Sequence, residues 1–215
     1  MSKLIGAALS PFVRKVRVYL DERGIGFEST HMVPGSDDPE YRKISPLGKI
    51  PAYQDDQVAI CDSSVIIGYL ERRHGAAFYP DDAAQLAQAL WLEEYADTVQ
   101  FDRFIEAIFF PQMVAPVTIG IAPDPAAIQD NIDRLPEAFD YLESQIKGEF
   151  LVGDSLTIAD ISVVSPFVNL EYCGCPPNPA QWPKLANYVS GIMRRPSFRN
   201  ALDAEAPMLQ KMLGR

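Results

Sequence analysis

Apolar positions along the chain follow two regimes. In the first third, short runs such as "KLIGAAL" (3–9) and "FESTHMV" (27–33) have the length and composition of strands. Between them Val13, Val16 and Leu20, flanked by Phe12 and Tyr19, recur at spacings of three and four, which predicts a helix over 11–23 stopped at Gly24. After the turn-rich "PGSDDPEY", the segment "IPAYQDDQVAIC" (50–61) reads as two short strands joined by the polar turn "QDDQ". The stretch "DSSVIIGYLERRHG" then places Val65, Ile66, Tyr69 and Leu70 on one helical face, with acidic and hydroxyl residues at its start and Gly75 at its end. The order is β-α-β followed by β-β-α.

From about residue 82 the strand signals stop. Leu86, Ala89 and Leu90, then Phe101, Phe104, Ile105 and Ile108, keep helical spacing up to Pro111. A second long helix is predicted through Ile128, Ile132, Leu135, Phe139, Leu142 and Ile146, closed by Gly148. In "SLTIADI", Thr157 and Asp160 stand three apart, the spacing of a capping box. Further helices are expected from Trp182 to Arg194, with Pro183 just inside the start, and from about Ser197 onward. The change of regime puts a boundary within 74–83 and predicts an α+β chain with domains at 1–78 and 84–215.

Composition narrows the function classes. At 215 residues and 47% apolar, the chain has ample material for a core, and no apolar run is long enough for a transmembrane helix. The formal charge of -10, with no clustered basic stripe, argues against a nucleic-acid partner. Three cysteines, Cys61, Cys173 and Cys175, cannot all pair with one another, and with only His31 and His74 they lack zinc-site spacing, so no metal is expected. The N-terminus has no secretory pattern, and the expectation is a soluble cytoplasmic protein without a membrane association.

Candidate chemistry gathers at three places. Ser10 precedes Pro11, and a serine cap with proline at the first helical position is a favoured helix start. A helix N-terminus also presents unpaired amides and positive partial charge, an environment that favours a thiolate to which a hydroxyl can donate. Pro51 opens a strand, where it cannot donate to a ladder. Asp62, Ser63 and Ser64 begin a helix, where they can act as caps or can bind a group carrying both ammonium and carboxylate.

Taken together, "LSPFVRKVR", "SPLGKIP" and "DSSVIIGYL" at these separations resemble the N-terminal domain of the cytosolic glutathione S-transferases, and the helical remainder with "GDSLTIADI" resembles their C-terminal domain. The resemblance implies a thioredoxin-like domain with a mixed four-stranded sheet, then a helical bundle, with glutathione as co-substrate and a homodimer as the assembly. It puts Ser10 at the position that hydrogen-bonds the glutathione sulfur and Pro51 at the family's cis-proline. Ile50 would then pair through its backbone with the cysteinyl part, while Asp62 and Ser63 would hold the γ-glutamyl end. For the glycyl carboxylate, Lys49, Lys43 and His31 all remain candidates. A serine in place of cysteine cannot form a mixed disulfide, which favours attack by glutathione itself; in the family the acceptor sits against the middle of the first long helix, where Phe101, Phe104, Ile108 and Phe109 imply an apolar electrophile. A glutathione-dependent isomerase or lyase and a non-catalytic interaction module are the alternatives.

Overall fold

The computed structural model describes residues 2–214. Strands β1 (Ser2–Ile5), β2 (Phe27–Thr30), β3 (Ala52–Gln54) and β4 (Ala59–Cys61) form one sheet in the order β2-β1-β3-β4. The β1–β2 pair is parallel, which requires a crossover element, and helix α1 (Pro11–Glu22) supplies it. The β1–β3 and β3–β4 pairs are antiparallel, the latter a hairpin through the predicted polar turn. Helix α3 (Ser63–His74) follows β4.

Register divides the apolar residues between the two faces. Ile5 stands opposite Ala52, and both bury against Tyr41 of a short helix α2 (Pro39–Ile44). Leu4 stands opposite Tyr53 and therefore faces the other way, where the Tyr53 ring meets Tyr69 of α3. Three details differ from the sequence expectation. The first two strands end early, at Ile5 and Thr30. Helix α2 was absent from the expectation, although Asp38 caps it and Pro39 opens it. In α3 the buried face is Ile66, Ile67 and Leu70, and Val65 is exposed.

The helical part contains α4 (Ala83–Tyr95), a π-wound segment Ala96–Val114 and α5 (Ala115–Thr118), continuous in sequence, then α6 (Pro125–Ile132), α7 (Leu135–Gln145), α8 (Ile158–Tyr172) and α9 (Pro183–Met193). Pro111 does not end the rod as expected; it lies inside the π segment, whose last bond joins the Ala115 N–H to the Phe110 carbonyl. The predicted single helix over 128–146 is two, α6 and α7. Pro136, in the first turn of α7, has no N–H to return to Ile132, so the ladder breaks at that point.

Helix α8 is buried around nearly its whole circumference and forms the axis of this part. Phe167 on it packs with Phe104 and Phe139, and Trp182 meets Phe139 edge-on. The expected capping box is present and extended. Asp160 accepts from the Thr157 N–H at 2.8 Å and hydroxyl at 3.1 Å, and also from the Leu151 N–H at 2.9 Å and the Tyr188 hydroxyl at 2.7 Å. Burial raises the Asp160 pKa against the pull of those four hydrogen bonds.

By contacts the chain forms two compact units: residues up to Ala77 together with Pro196–Met208, and Phe78–Arg195 with the residues from Leu209 on. The sequence expectation assigned all of 84–215 to the second. The difference lies in the last helix, α10 (Pro196–Met212). Within the first unit, Arg14 of α1 donates to Glu205 twice, Nε to Oε1 at 2.6 Å and Nη2 to Oε2 at 2.7 Å, with both side chains essentially inaccessible to solvent. The Ser197 hydroxyl donates to Glu22 at 2.6 Å on the same helix pair. Glu205→Ala removes the bidentate partner of a buried guanidinium and is expected to cost about 3–5 kcal/mol, with Glu205→Gln costing less. Urea denaturation of the three proteins checks this, and a loss under about 1 kcal/mol for the alanine variant would show that the pair contributes little.

Candidate active site

The site is assembled at the end of β1, where the chain turns through Gly6 into α1. A Cβ built on Gly6 would lie 2.5 Å from Val13 Cγ2 and 3.3 Å from Ile50 Cβ, so only glycine lets the turn, the first turn of α1 and the Ile50 segment close on one another. The Ile50–Pro51 bond is cis. The Pro51 carbonyl accepts the Asp62 N–H at 3.2 Å, which ties the start of α3 to the same place. One run of contacts therefore links the α1 N-terminus, Ile50–Pro51 and Asp62.

Each predicted site residue has a defined setting there. Ser10 is the N-cap of α1, half-buried, and its Oγ accepts the Val13 N–H at a long 3.5 Å. The hydroxyl proton has no acceptor among the described residues, and the helix terminus adds positive partial charge. The Ile50 main-chain N–H and C=O have no partner among the described residues, so they form an unsatisfied sheet-like edge. Around them, the Tyr41 hydroxyl donates to the Lys49 carbonyl at 2.6 Å and the Ser45 hydroxyl does so at 2.8 Å, which fixes the loop.

Asp62 has φ 79° and ψ 128°, the one positive φ outside glycine among the described residues. Its Oδ1 accepts from the N–H groups of Ser64 at 3.0 Å and Val65 at 3.2 Å, which caps α3 and leaves Oδ2 without a partner in the chain. Ser63 is buried, and its hydroxyl also has no partner among the described residues. A carboxylate oxygen, the Ser63 hydroxyl and the Ser63 N–H thus stand together, a set that suits an ammonium and a carboxylate on one ligand.

Other candidates are resolved less directly. Lys43 is paired with Glu40 at 2.6 Å, while the exposed Lys49 ammonium has no partner among the described residues. Arg42 is held within its own loop by the Ser36 and Pro46 carbonyls and Asp37. Phe104, Ile108 and Phe109 are buried in the helical unit, and Phe101 is half-buried. The three cysteines are free thiols, and the described residues include no cluster of His, Cys, Asp and Glu able to hold a metal ion. Among the described residues, no helix is long and apolar enough to cross a membrane. Sequence reasoning missed Gly6, because the reason for it is a close approach of segments distant in the chain.

A thioredoxin-like unit with a serine cap at its first helix, followed by a helical unit, is the architecture that the family resemblance implied. The comparisons agree with that description. The "Glutathione S-transferase, N-terminal domain" model matches residues 4–78 and the "Glutathione S-transferase, C-terminal domain" model matches 128–204. The glutathione S-transferase of Hyoscyamus muticus is 26% identical over 209 residues, 94% of this chain and 97% of that protein, and glutathione S-transferase 3 of Zea mays is 28% identical over 94% and 93%. Among solved structures, a glutathione S-transferase from Rhodospirillum rubrum F11 superposes with a TM-score of 0.87 at 27% identity, covering 94% of this chain and 92% of that one. The chain belongs to the cytosolic glutathione S-transferase superfamily.

Two predictions follow from this geometry. Asp62→Ala loses the cap and keeps the positive φ, and is expected to destabilise by about 1–2 kcal/mol, whereas Asp62→Gly relieves the strain and loses only a few tenths. Equal melting temperatures for the two variants would remove strain from the account. At Cys173, burial and then the neighbouring Cys175 push the thiol up to about 12. The thiolate fraction at pH 8 is then about one in ten thousand, so mass-resolved alkylation should be slow there and should accelerate as pH rises. Labelling at the rate of an unfolded thiol would contradict this.

Proposed function

We propose that the protein is a glutathione transferase in which glutathione attacks an apolar electrophile. The observation that carries the reading is the Ser10 hydroxyl, its proton uncommitted at the α1 N-terminus, beside the unpaired backbone of Ile50. In this reading the cysteinyl part of glutathione pairs with the Ile50 N–H and C=O, as an added strand pairs with a free edge. Asp62 Oδ2 takes the γ-glutamyl ammonium, and the Ser63 hydroxyl and N–H take the γ-glutamyl carboxylate. Lys49, unpaired and next to Ile50, takes the glycyl carboxylate; Lys43 is already engaged by Glu40.

Ser10 then donates to the sulfur. A hydroxyl donor and a helix terminus that lowered a thiol pKa from about 8.5 to about 6.5 would raise the thiolate fraction at pH 7 from roughly 3% to roughly 75%, equivalent to about 2.7 kcal/mol. The thiol proton goes to solvent, the sulfur lone pair forms a bond to the electrophilic carbon, and the displaced group leaves with its bonding electrons. A cytoplasmic homodimer is part of the same proposal and rests on the family.

The test separates binding from chemistry. With an aryl halide acceptor, Ser10→Ala is expected to lose about 10- to 100-fold in turnover near pH 6.5, with the pKa of bound glutathione rising toward about 8.5 and retention on immobilised glutathione unchanged. Ser63→Ala is expected to lose retention. Unchanged turnover in Ser10→Ala would remove that residue from the mechanism, and a wild type that ignores glutathione would overturn the assignment.

A further inference from the structure

The second unit contains a groove of its own, of about 820 Å³, between the α7–α8 connection and α9. That volume is in the range of small-molecule sites. None of its lining comes from the segments carrying Ser10, Ile50, Asp62 or Ser63. The lining is rich in donors and cations: Lys147 and Glu149 from the connection, Lys184, Asn187 and Arg194 from α9 and its end, and Arg195 beyond it. In a chain of formal charge -10, four basic side chains and one carboxylate at one concavity reverse the local sign.

Most of these donors are not satisfied within the protein. The side chains of Lys147, Lys184 and Asn187 have no hydrogen-bond or ion-pair partner among the described residues. Arg194 spends one nitrogen, Nη1, on the Ser190 hydroxyl at 2.7 Å. The main-chain N–H groups of 147–150 likewise have no acceptor among the described residues. The adjacent carboxylate Glu143 is occupied by capping α9, where it accepts from the Lys184 and Leu185 N–H groups at 3.2 and 2.7 Å. The Tyr188 hydroxyl on the groove wall is taken by Asp160. Gly191 leaves the α9 surface bare at the groove, and half-buried Phe150 gives one wall an apolar side.

We propose that this groove binds a small organic polyanion, a molecule bearing at least two phosphate- or carboxylate-type charges, independently of the thiol site. Lys147, Lys184 and Arg194 supply the charge, and Asn187 and the 147–150 amides supply directional donors. Because the cations are exposed, affinity depends on several acting together and on low ionic strength.

Isothermal titration of the full chain with pyrophosphate and, separately, with citrate tests the proposal. Pyrophosphate is expected to bind one site per chain, more weakly as salt rises from about 50 to about 200 mM. The double variant Lys147→Ala/Lys184→Ala is expected to lose affinity at least about tenfold, the loss of one charge-assisted hydrogen bond, with turnover on glutathione unchanged. Binding of pyrophosphate without citrate assigns a phosphate-bearing ligand, and comparable binding of both assigns a general polyanion. The proposal is overturned if neither anion binds at millimolar concentration, or if the double variant binds as the wild type does. Should the wild type bind pyrophosphate but ignore glutathione, the groove stands and the transferase reading falls.

Discussion

The first unit depends on how closely three segments of the chain approach one another at Gly6. The end of β1, the first turn of α1 and the Ile50–Pro51 segment meet there with no room for a methyl group. That contact brings a helix terminus close to the Ile50 segment, whose main-chain groups have no partner among the described residues. The terminus offers a partial positive charge and a spare hydroxyl, and Ile50 offers an N–H and a C=O that water or a ligand must satisfy. Each feature alone is ordinary, and the proposed site for an extended thiol peptide rests on their adjacency.

The two ends of α3 show how the same helix serves stability and chemistry. At its start, Asp62 caps two amides from a backbone conformation that L-residues avoid, while one carboxylate oxygen remains open. At its other end, Glu71 accepts from the Tyr19 hydroxyl at 2.7 Å and from the Ala77 N–H at 2.8 Å, binding α3 to α1 and to the chain that follows. The strain sits at the proposed ligand contact, and the anchoring hydrogen bonds sit away from it.

What the sequence made legible was local. Ser10 with Pro11 marked the start of α1, Thr157 with Asp160 marked the start of α8, and the polar turn after Gln54 marked the hairpin, because each signal and its cause lie within a few residues. Asp38 and Pro39 carried the same kind of signal for α2, hidden among turn residues. Val65 was assigned to the buried face because apolar periodicity cannot distinguish adjacent positions when Ile66 and Ile67 compete for the same stripe. Pro111 misled because a helix wound with longer hydrogen bonds can carry a residue without an N–H. Of the site, the residue types and their order were readable. The need for Gly6 and the engagement of Lys43 were not, since both are properties of approach in space.

The Arg14–Glu205 pair spans 191 positions, and it bears on how the protein is made. The ribosome releases the β-α-β and β-β-α segments long before residue 205 leaves the exit tunnel. During that interval a guanidinium destined for the interior has no carboxylate to meet. A nascent first unit must therefore wait in an unfinished state, with α1 incompletely covered, until the last helix returns to it. The covering of α1 is finished only when a segment 191 positions downstream arrives, and a chain cut before Glu205 would lose it.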